Sequence, residues 1–402
     1  MVQSGVKRPL LVLLAGGLTL MIAFGTRQSY SVFLKPMTSD LGWSREAFAL
    51  ALGLAQLLWG VAQPFAGAMA VRYGAARVAA IGALVSGAGM VASAFASSPG
   101  MFQLTAGVIV GTFGAGVGFA TILAAIAQSY PPEKRTIVMG IGTSLASFGQ
   151  FVFVPLGQEF IVAYGWQTAL IMIGSCAFAG VFLAGALPGA PPAPTGHQQS
   201  WSEATREALA HPGFLMVSAA YFVCGFHVAF IGAHLPAYLS DQGLDPRIGA
   251  WAIAMIGAGN IIGSTVAGLL GSRFRKRIVL GLIYFLRAVV ITAFILLPTT
   301  VETAMAFAVA MGLLWLSTVP LTTGIVGQIF GMQHFAMLNG LAFMMHQVGA
   351  IIGVWLAGRL FDTTGSYAVT WWIAVALGVI AAAFCFPAND RAIVRQPAPA
   401  MR

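Results

Sequence analysis

The sequence predicts an all-α membrane protein: twelve transmembrane helices in two pseudo-symmetric six-helix bundles. Three observations carry this. Apolar residues make up 58% of the 402 and charged residues 8%, with a mean hydropathy of +0.87, far from the balance of a water-soluble domain. Stretches of roughly 20 apolar residues, enough to cross a bilayer core, recur along the whole chain. Finally, Ser39, Asp40, Gly42, Gly67 and Arg72 return as Ser240, Asp241, Gly243, Gly268 and Arg273 at a constant shift of 201. Gly140, Gly149 and Gly165 return at a shift of 200 as Gly340, Gly349 and Gly365. A shift of half the chain marks duplication, and paired halves made of membrane helices are the signature of a secondary carrier with its site between them.

The N-terminal half, 1–187, is expected to hold spans near 10–34, 45–70, 76–97, 102–129, 136–161 and 167–187. Turn-forming breaks such as Ser97-Ser98-Pro99-Gly100 and Tyr130-Pro131-Pro132-Glu133 separate them. A linker, 188–212, opens with Pro188-Gly189-Ala190-Pro191-Pro192-Ala193-Pro194, which favours an extended chain. Ser200 and Glu203 then have capping-box spacing ahead of a short amphipathic helix, Ala204 to Ala210, expected at the cytoplasmic face as a connector. The C-terminal half, 213–402, repeats the pattern near 213–238, 249–271, 278–297, 303–327, 336–360 and 367–387.

Basic residues give the orientation. Of twenty Lys and Arg, Arg27 and Arg287 lie inside spans, while Lys35, Arg45, Arg247 and Arg359 fall on one side. The other fourteen share the side of both termini, which the positive-inside rule makes cytoplasmic. The net charge of +9 is therefore a topological effect and does not imply nucleic acid. No cleaved leader is expected, and short loops suit a bacterial inner membrane. Cys176, Cys224 and Cys385 lie in apolar spans without disulfide or metal spacing. Enzyme signatures are missing, so neither catalysis nor a cofactor is expected. The glycines of the fourth span, Gly107, Gly111, Gly114, Gly116 and Gly118, suggest close helix packing and not a phosphate cradle.

Ionisable groups within hydrocarbon are costly and by default have a task. Arg27, in the polar turn Gly25-Thr26-Arg27-Gln28-Ser29-Tyr30, and Arg287 are the deep cations, and the one acid near membrane depth is Glu159. Burying an unpaired guanidinium costs several kcal/mol, on the order of the general penalty for a buried ion. A carboxylate ligand would remove that cost through paired hydrogen bonds. The expected cargo is therefore a small organic anion. Arg287 has two open readings, ligand binding or pairing with a neighbouring helix's carbonyls. His227 and His234, two helical turns apart, share a face and are the candidate protonation sites. Under the shift, Arg27 corresponds to Val228, which puts His227 at a similar depth on the facing helix. His346 and Gln347, Tyr30, Asn260, and Trp315 with Thr318 near Pro320 complete the candidate lining.

These features resemble the major facilitator superfamily. The loop after the second span, Gly67-Ala68-Met69-Ala70-Val71-Arg72-Tyr73-Gly74, keeps that family's glycines and arginine but has Val71 for its usual Asp. Its second copy begins Gly268-Leu269-Leu270-Gly271-Ser272-Arg273. The resemblance implies a latching role for Gly67, Arg72, Gly74, Gly268 and Arg273. Val32-Phe33-Leu34-Lys35-Pro36-Met37, Asp40-Leu41-Gly42-Trp43-Ser44-Arg45 and Phe361-Asp362-Thr363-Thr364-Gly365-Ser366-Tyr367 are similar to the monocarboxylate and oxalate/formate branch. That branch places a substrate arginine four residues after an Asp or Asn in the eighth span; here Asn260 is followed at that spacing by Ser264. The expectation is a monomeric, proton-coupled carrier of a monocarboxylate working by alternating access. The alternatives are a carrier for a larger aromatic or vitamin-like metabolite, an exporter of a toxic compound, or a non-transporting membrane sensor.

Overall fold

The computed structural model describes residues 9–189, 201–331 and 335–393. Four helices, α1 (Pro9–Leu41), α2 (Arg45–Tyr73), α3 (Ala75–Ser93) and α4 (Pro99–Gln128), open the N-terminal half. The next helix, Pro132–Cys176, runs through both expected spans, but Gly165 divides it with φ 78 and ψ 162. A side chain strains such a backbone, so glycine makes the turn between α5 (132–164) and α6 (166–184). The C-terminal half follows with α7 (Pro212–Asp241), α8 (Pro246–Arg273), α9 (Lys276–Leu296), α10 (Val301–Phe330), α11 (Met337–Thr364) and α12 (Ala368–Cys385). The fold is all-helical, with twelve crossings in two six-helix bundles. Large apolar side chains such as Phe65, Phe182, Ile262 and Leu296 point outward, as a lipid-facing surface requires.

The repeated identities have structural causes. Gly42 and Gly243, and Gly165 and Gly365, are the same two left-handed turns in each half. Gly149 packs against the Met21 backbone, and Gly349 against that of Phe222, 201 positions later; a Cβ on either would overlap it. The linker helix, Trp201–Ala210, buries Ala204 and Ala208 completely, and Ala208 packs with Phe214 and Val217. Most of the expected proline tract, residues 190–194, and the Ser200 cap lie outside the described residues.

The halves meet along α2 with α11 and α5 with α8, but only over part of their length. From the end away from the termini down to mid-helix, Gly53 packs on Ile351, Gly60 on Gln347 and Gly257 on Ser147. Toward the termini, Gly67, Gly140, Gly268 and Gly340 all face open space. The bundles therefore splay apart at the termini end.

Candidate functional site

Ion pairs close the far end. Asp241 on α7 receives Lys35 at 3.0 Å and Arg45 through two bonds of 2.6 and 3.0 Å, both donors coming from the other half. Arg247 meets Glu159 at 2.6 Å, and Arg359 meets Glu46 at 3.1 Å. Asp362 caps α2 by accepting the Arg45 and Glu46 N–H groups. Arg45 also lies 3.7 Å over the Phe361 ring and donates to the Tyr367 hydroxyl at 2.8 Å.

Beneath this layer lies a central cavity between the halves, lined in part by Arg27, Gln28, Tyr30, Gln56, Val228 and Gly232. On its termini side the seal is thin. Trp59 and Phe343 meet edge to face at 5.8 Å, and the Gln347 amide donates to the Gln56 carbonyl. A second cavity opens inside the N-terminal half, and Arg27 lines both. The guanidinium carbon stands 4.1 Å over Trp59 and 5.5 Å from Phe24. Its Nη1 is buried with no hydrogen-bond partner, and among the described residues no acid pairs with it. Cation–π attraction offsets part of the desolvation cost but supplies no acceptor. The Gln56 side-chain oxygen on the same central cavity is also buried and unpaired. Tyr30 borders that cavity too, although its hydroxyl is engaged with Ser93 at 3.0 Å.

Several expected site residues are engaged with groups of the protein itself. Arg287 lines neither cavity. It is fully buried within the C-terminal half, where Nε and Nη2 donate to the Leu314 carbonyl and Nη2 also to that of Trp315. Those carbonyls are free because α10 breaks between Leu314 and Thr318. Asn260 serves the same break from the other side, its Oδ1 accepting the Leu316 N–H at 3.0 Å while Nδ2 donates to Ser147 across the halves. Pro320 falls in the first turn of the helix that follows, where a missing N–H is harmless, so the break precedes it. Trp315 and Thr318 are buried in the same region, and the Thr318 hydroxyl contacts the Cys224 sulfur at 3.1 Å.

The facing-helix position expected for His227 does not hold. Its ring turns into the C-terminal bundle, with Nε2 2.8 Å from the Ala374 carbonyl of α12. Residue number sets depth but not the face of α7, and Val228 takes the cavity position. His346 lies edge-on to Tyr221 and bonds Gln347 through Nδ1 at 2.8 Å. His234 has both nitrogens engaged, Nδ1 with the Tyr367 hydroxyl and Nε2 with the Val354 carbonyl, each at 2.9 Å. A carbonyl only accepts, so Nε2 carries the proton and Tyr367 donates to Nδ1. Asp241, Arg45, Tyr367 and His234 thus form one hydrogen-bonded chain from the far end into α7.

The expected latch residues stand apart. Arg72 and Arg273 are exposed near the splayed ends, and neither has an ion pair among the described residues. Gly74 turns the chain between α2 and α3 with φ 91. Sequence reasoning missed Gln28, Gln56, Trp59 and Gln63. The last accepts the Ala120 N–H at 3.1 Å where α4 breaks at Gly118, an interruption that packing glycines alone did not predict. Gln56 and Gln63 are seven residues apart on one face of α2, with Trp59 between them, and that spacing was legible.

A family model of the Major Facilitator Superfamily matches residues 16–258 and 217–400. The chain belongs to that superfamily. Among its relatives, monocarboxylate transporter 13 of Rattus norvegicus is 25% identical over 360 residues, covering 88% of this chain and 82% of the rat protein. Monocarboxylate transporter 11 of Homo sapiens is 25% identical over 396 residues, covering 92% of this chain and 81% of its own. The uncharacterized MFS-type transporter YcxA of Bacillus subtilis (strain 168) is 23% identical over 363 residues, covering 85% of each chain. This superfamily member thus resembles the monocarboxylate branch. In fold it is similar to an inward-facing, unoccupied bacterial homolog of the human lysosomal transporter Spinster, with a TM-score of 0.77 at 19% identity, covering 97% of this chain and 99% of that one. A D-xylose–proton symporter matches with a TM-score of 0.74 at 17% identity, covering 94% and 97%.

Proposed function

We propose that this membrane carrier moves a small organic anion, a monocarboxylate, by alternating access. One observation carries the reading: the Arg27 guanidinium lies between two cavities with a buried, unpartnered Nη1 and no acid beside it. A bound carboxylate supplies the acceptor that the protein withholds, and its arrival and departure make the cost of burial periodic. The naming of its relatives as monocarboxylate transporters agrees with this charge. The thick ion-paired layer at the far end and the thin Trp59–Phe343 seal toward the termini describe a carrier closed on one side and nearly open on the other. By the distribution of basic residues, the open side is cytoplasmic and so are both termini, in a bacterial plasma membrane.

Proton coupling belongs with His234 in this reading, because it joins the gate through Tyr367. A proton on Nδ1 would end its role as acceptor and disturb the hydroxyl that Arg45 binds. His227 has no such path.

Counterflow of labelled carboxylate in proteoliposomes tests the proposal. Arg27→Gln keeps length and polarity and is expected to abolish exchange while the protein remains folded and inserted. Wild-type exchange by that variant overturns it.

A further inference from the structure

The cavity inside the N-terminal half differs from the central one in its walls. Phe24, Trp59, Met90, Val110 and Phe119 dominate it, contributed by α1, α2, α3 and α4. Its hydroxyl groups are spent within their own helices: Thr19 donates to Ala15 at 2.8 Å, Thr26 to Ala23 at 3.4 Å, and Ser86 to the Gly82 carbonyl. The charge at this cavity is Arg27. The pocket is therefore apolar, with a cation at its boundary with the central cavity.

The duplication explains the space. At a shift of 201, α3 begins at Ala75 and α9 at Lys276, so Ser86 corresponds to Arg287. In the C-terminal half Arg287 fills the bundle and caps the broken α10, with Trp315 packed at the break. The N-terminal half has the same kind of break in α4, but it is lined by Gly114, Gly118 and Ser86, and no large side chain fills it. An irregular backbone at membrane depth is tolerated where it lines a cavity. Space that side chains leave unfilled forfeits packing, so one half keeps an opening that its twin has filled.

The geometry points to this chamber as the seat of the substrate's apolar body: the cargo is a carboxylate carrying an aryl or branched alkyl group. Arg27 holds the carboxylate at the boundary, and the body lies against the wall made by Phe24, Phe119 and Trp59, whose rings touch at centroid distances of 5.9 and 6.1 Å. This rests on Arg27 as the anion anchor and adds what selects among anions.

Counterflow with acetate, isovalerate and phenylacetate tests it, at a pH well above the acids' own pKa so that neutral acid crosses little. Half-saturation should fall about tenfold or more from acetate to phenylacetate, the effect expected for burying the added apolar group. Ser86→Leu, which places branched carbon in the chamber, should bring the ratio of the two constants toward one. Phe119→Ala, which enlarges it, should extend the preference to naphthylacetate. The ratio cancels differences in protein yield, and two substitutions of opposite sense guard against one that fails to fold. Equal constants for acetate and phenylacetate in the parent, or a ratio that neither variant moves, overturn this inference alone. Exchange of no carboxylate at all overturns the function proposed above, and this inference with it.

Discussion

Removing Asp241 should shift the carrier toward the state open at the far end. Its carboxylate accepts on α7 from Lys35 on α1 and Arg45 on α2, so Asp241→Ala weakens two attachments between halves at once, leaving Lys35 its bond to the Ser240 hydroxyl at 3.0 Å. The side chains are 23% exposed for Asp241 and 11% for Arg45, which limits solvent screening of that pair; Lys35, at 39%, contributes less. A charge-assisted, two-pronged bond in such a setting is worth about 2 kcal/mol net, or about a thirtyfold change in a two-state equilibrium. Arg45 keeps Phe361 and Tyr367, so the loss is partial and the layer does not collapse. The assay is maleimide labelling of Ala233→Cys, a central-cavity position, in a protein whose three native cysteines are replaced. Reagent added at the far side should react roughly thirtyfold faster with Asp241→Ala than with its parent, until full opening sets a ceiling. An unchanged rate refutes the argument that this carboxylate holds the halves together.

Other outcomes follow from the same geometry. Arg287→Leu frees the Leu314 and Trp315 carbonyls and should lower the midpoint of thermal unfolding in detergent, with a loss of about 2–3 kcal/mol for the charged hydrogen bonds. The folded fraction should keep its half-saturation for carboxylate, whereas a raised constant would return Arg287 to the ligand. Asn260→Ala leaves the Leu316 N–H without its cap and should cost about 1–3 kcal/mol in the same melt. Gly149→Val and Gly349→Val should each prevent stable accumulation in the membrane, since a Cβ meets backbone that cannot yield. Tyr367→Phe removes the hydroxyl between Arg45 and His234, and should flatten the pH dependence of exchange while leaving binding of carboxylate at fixed pH in place.

How far the site was readable varies with how local its cause is. Arg27 announced itself, because a guanidinium amid apolar residues is conspicuous and its surroundings contain no acid. Arg287 has the same local signature but another occupation, since its partners are carbonyls released by a break 27 residues farther along the chain. His227 and His234 show the same limit. They share a helical face at two turns, yet one is held by the Ala374 carbonyl and the other by Tyr367 and Val354, all on α11 or α12 or between them. Trp59 and Gln56 gave only the seven-residue spacing of Gln56 and Gln63 as a signal, because single aromatic and neutral polar side chains are ordinary in membrane spans.

By itself the sequence determined that this chain lives in a bilayer, that it is one half written twice, and that it buries a cation without a local counter-charge. Those properties depend on composition, on spacing and on the cost of charge in hydrocarbon, none of which needs a neighbour. Only the tertiary structure decided which arginine meets a cavity, where the two long helices break, which end is sealed, and that one half keeps a hollow its twin has filled. Such facts depend on the rotation of each helix about its own axis, and packing against the others sets that angle.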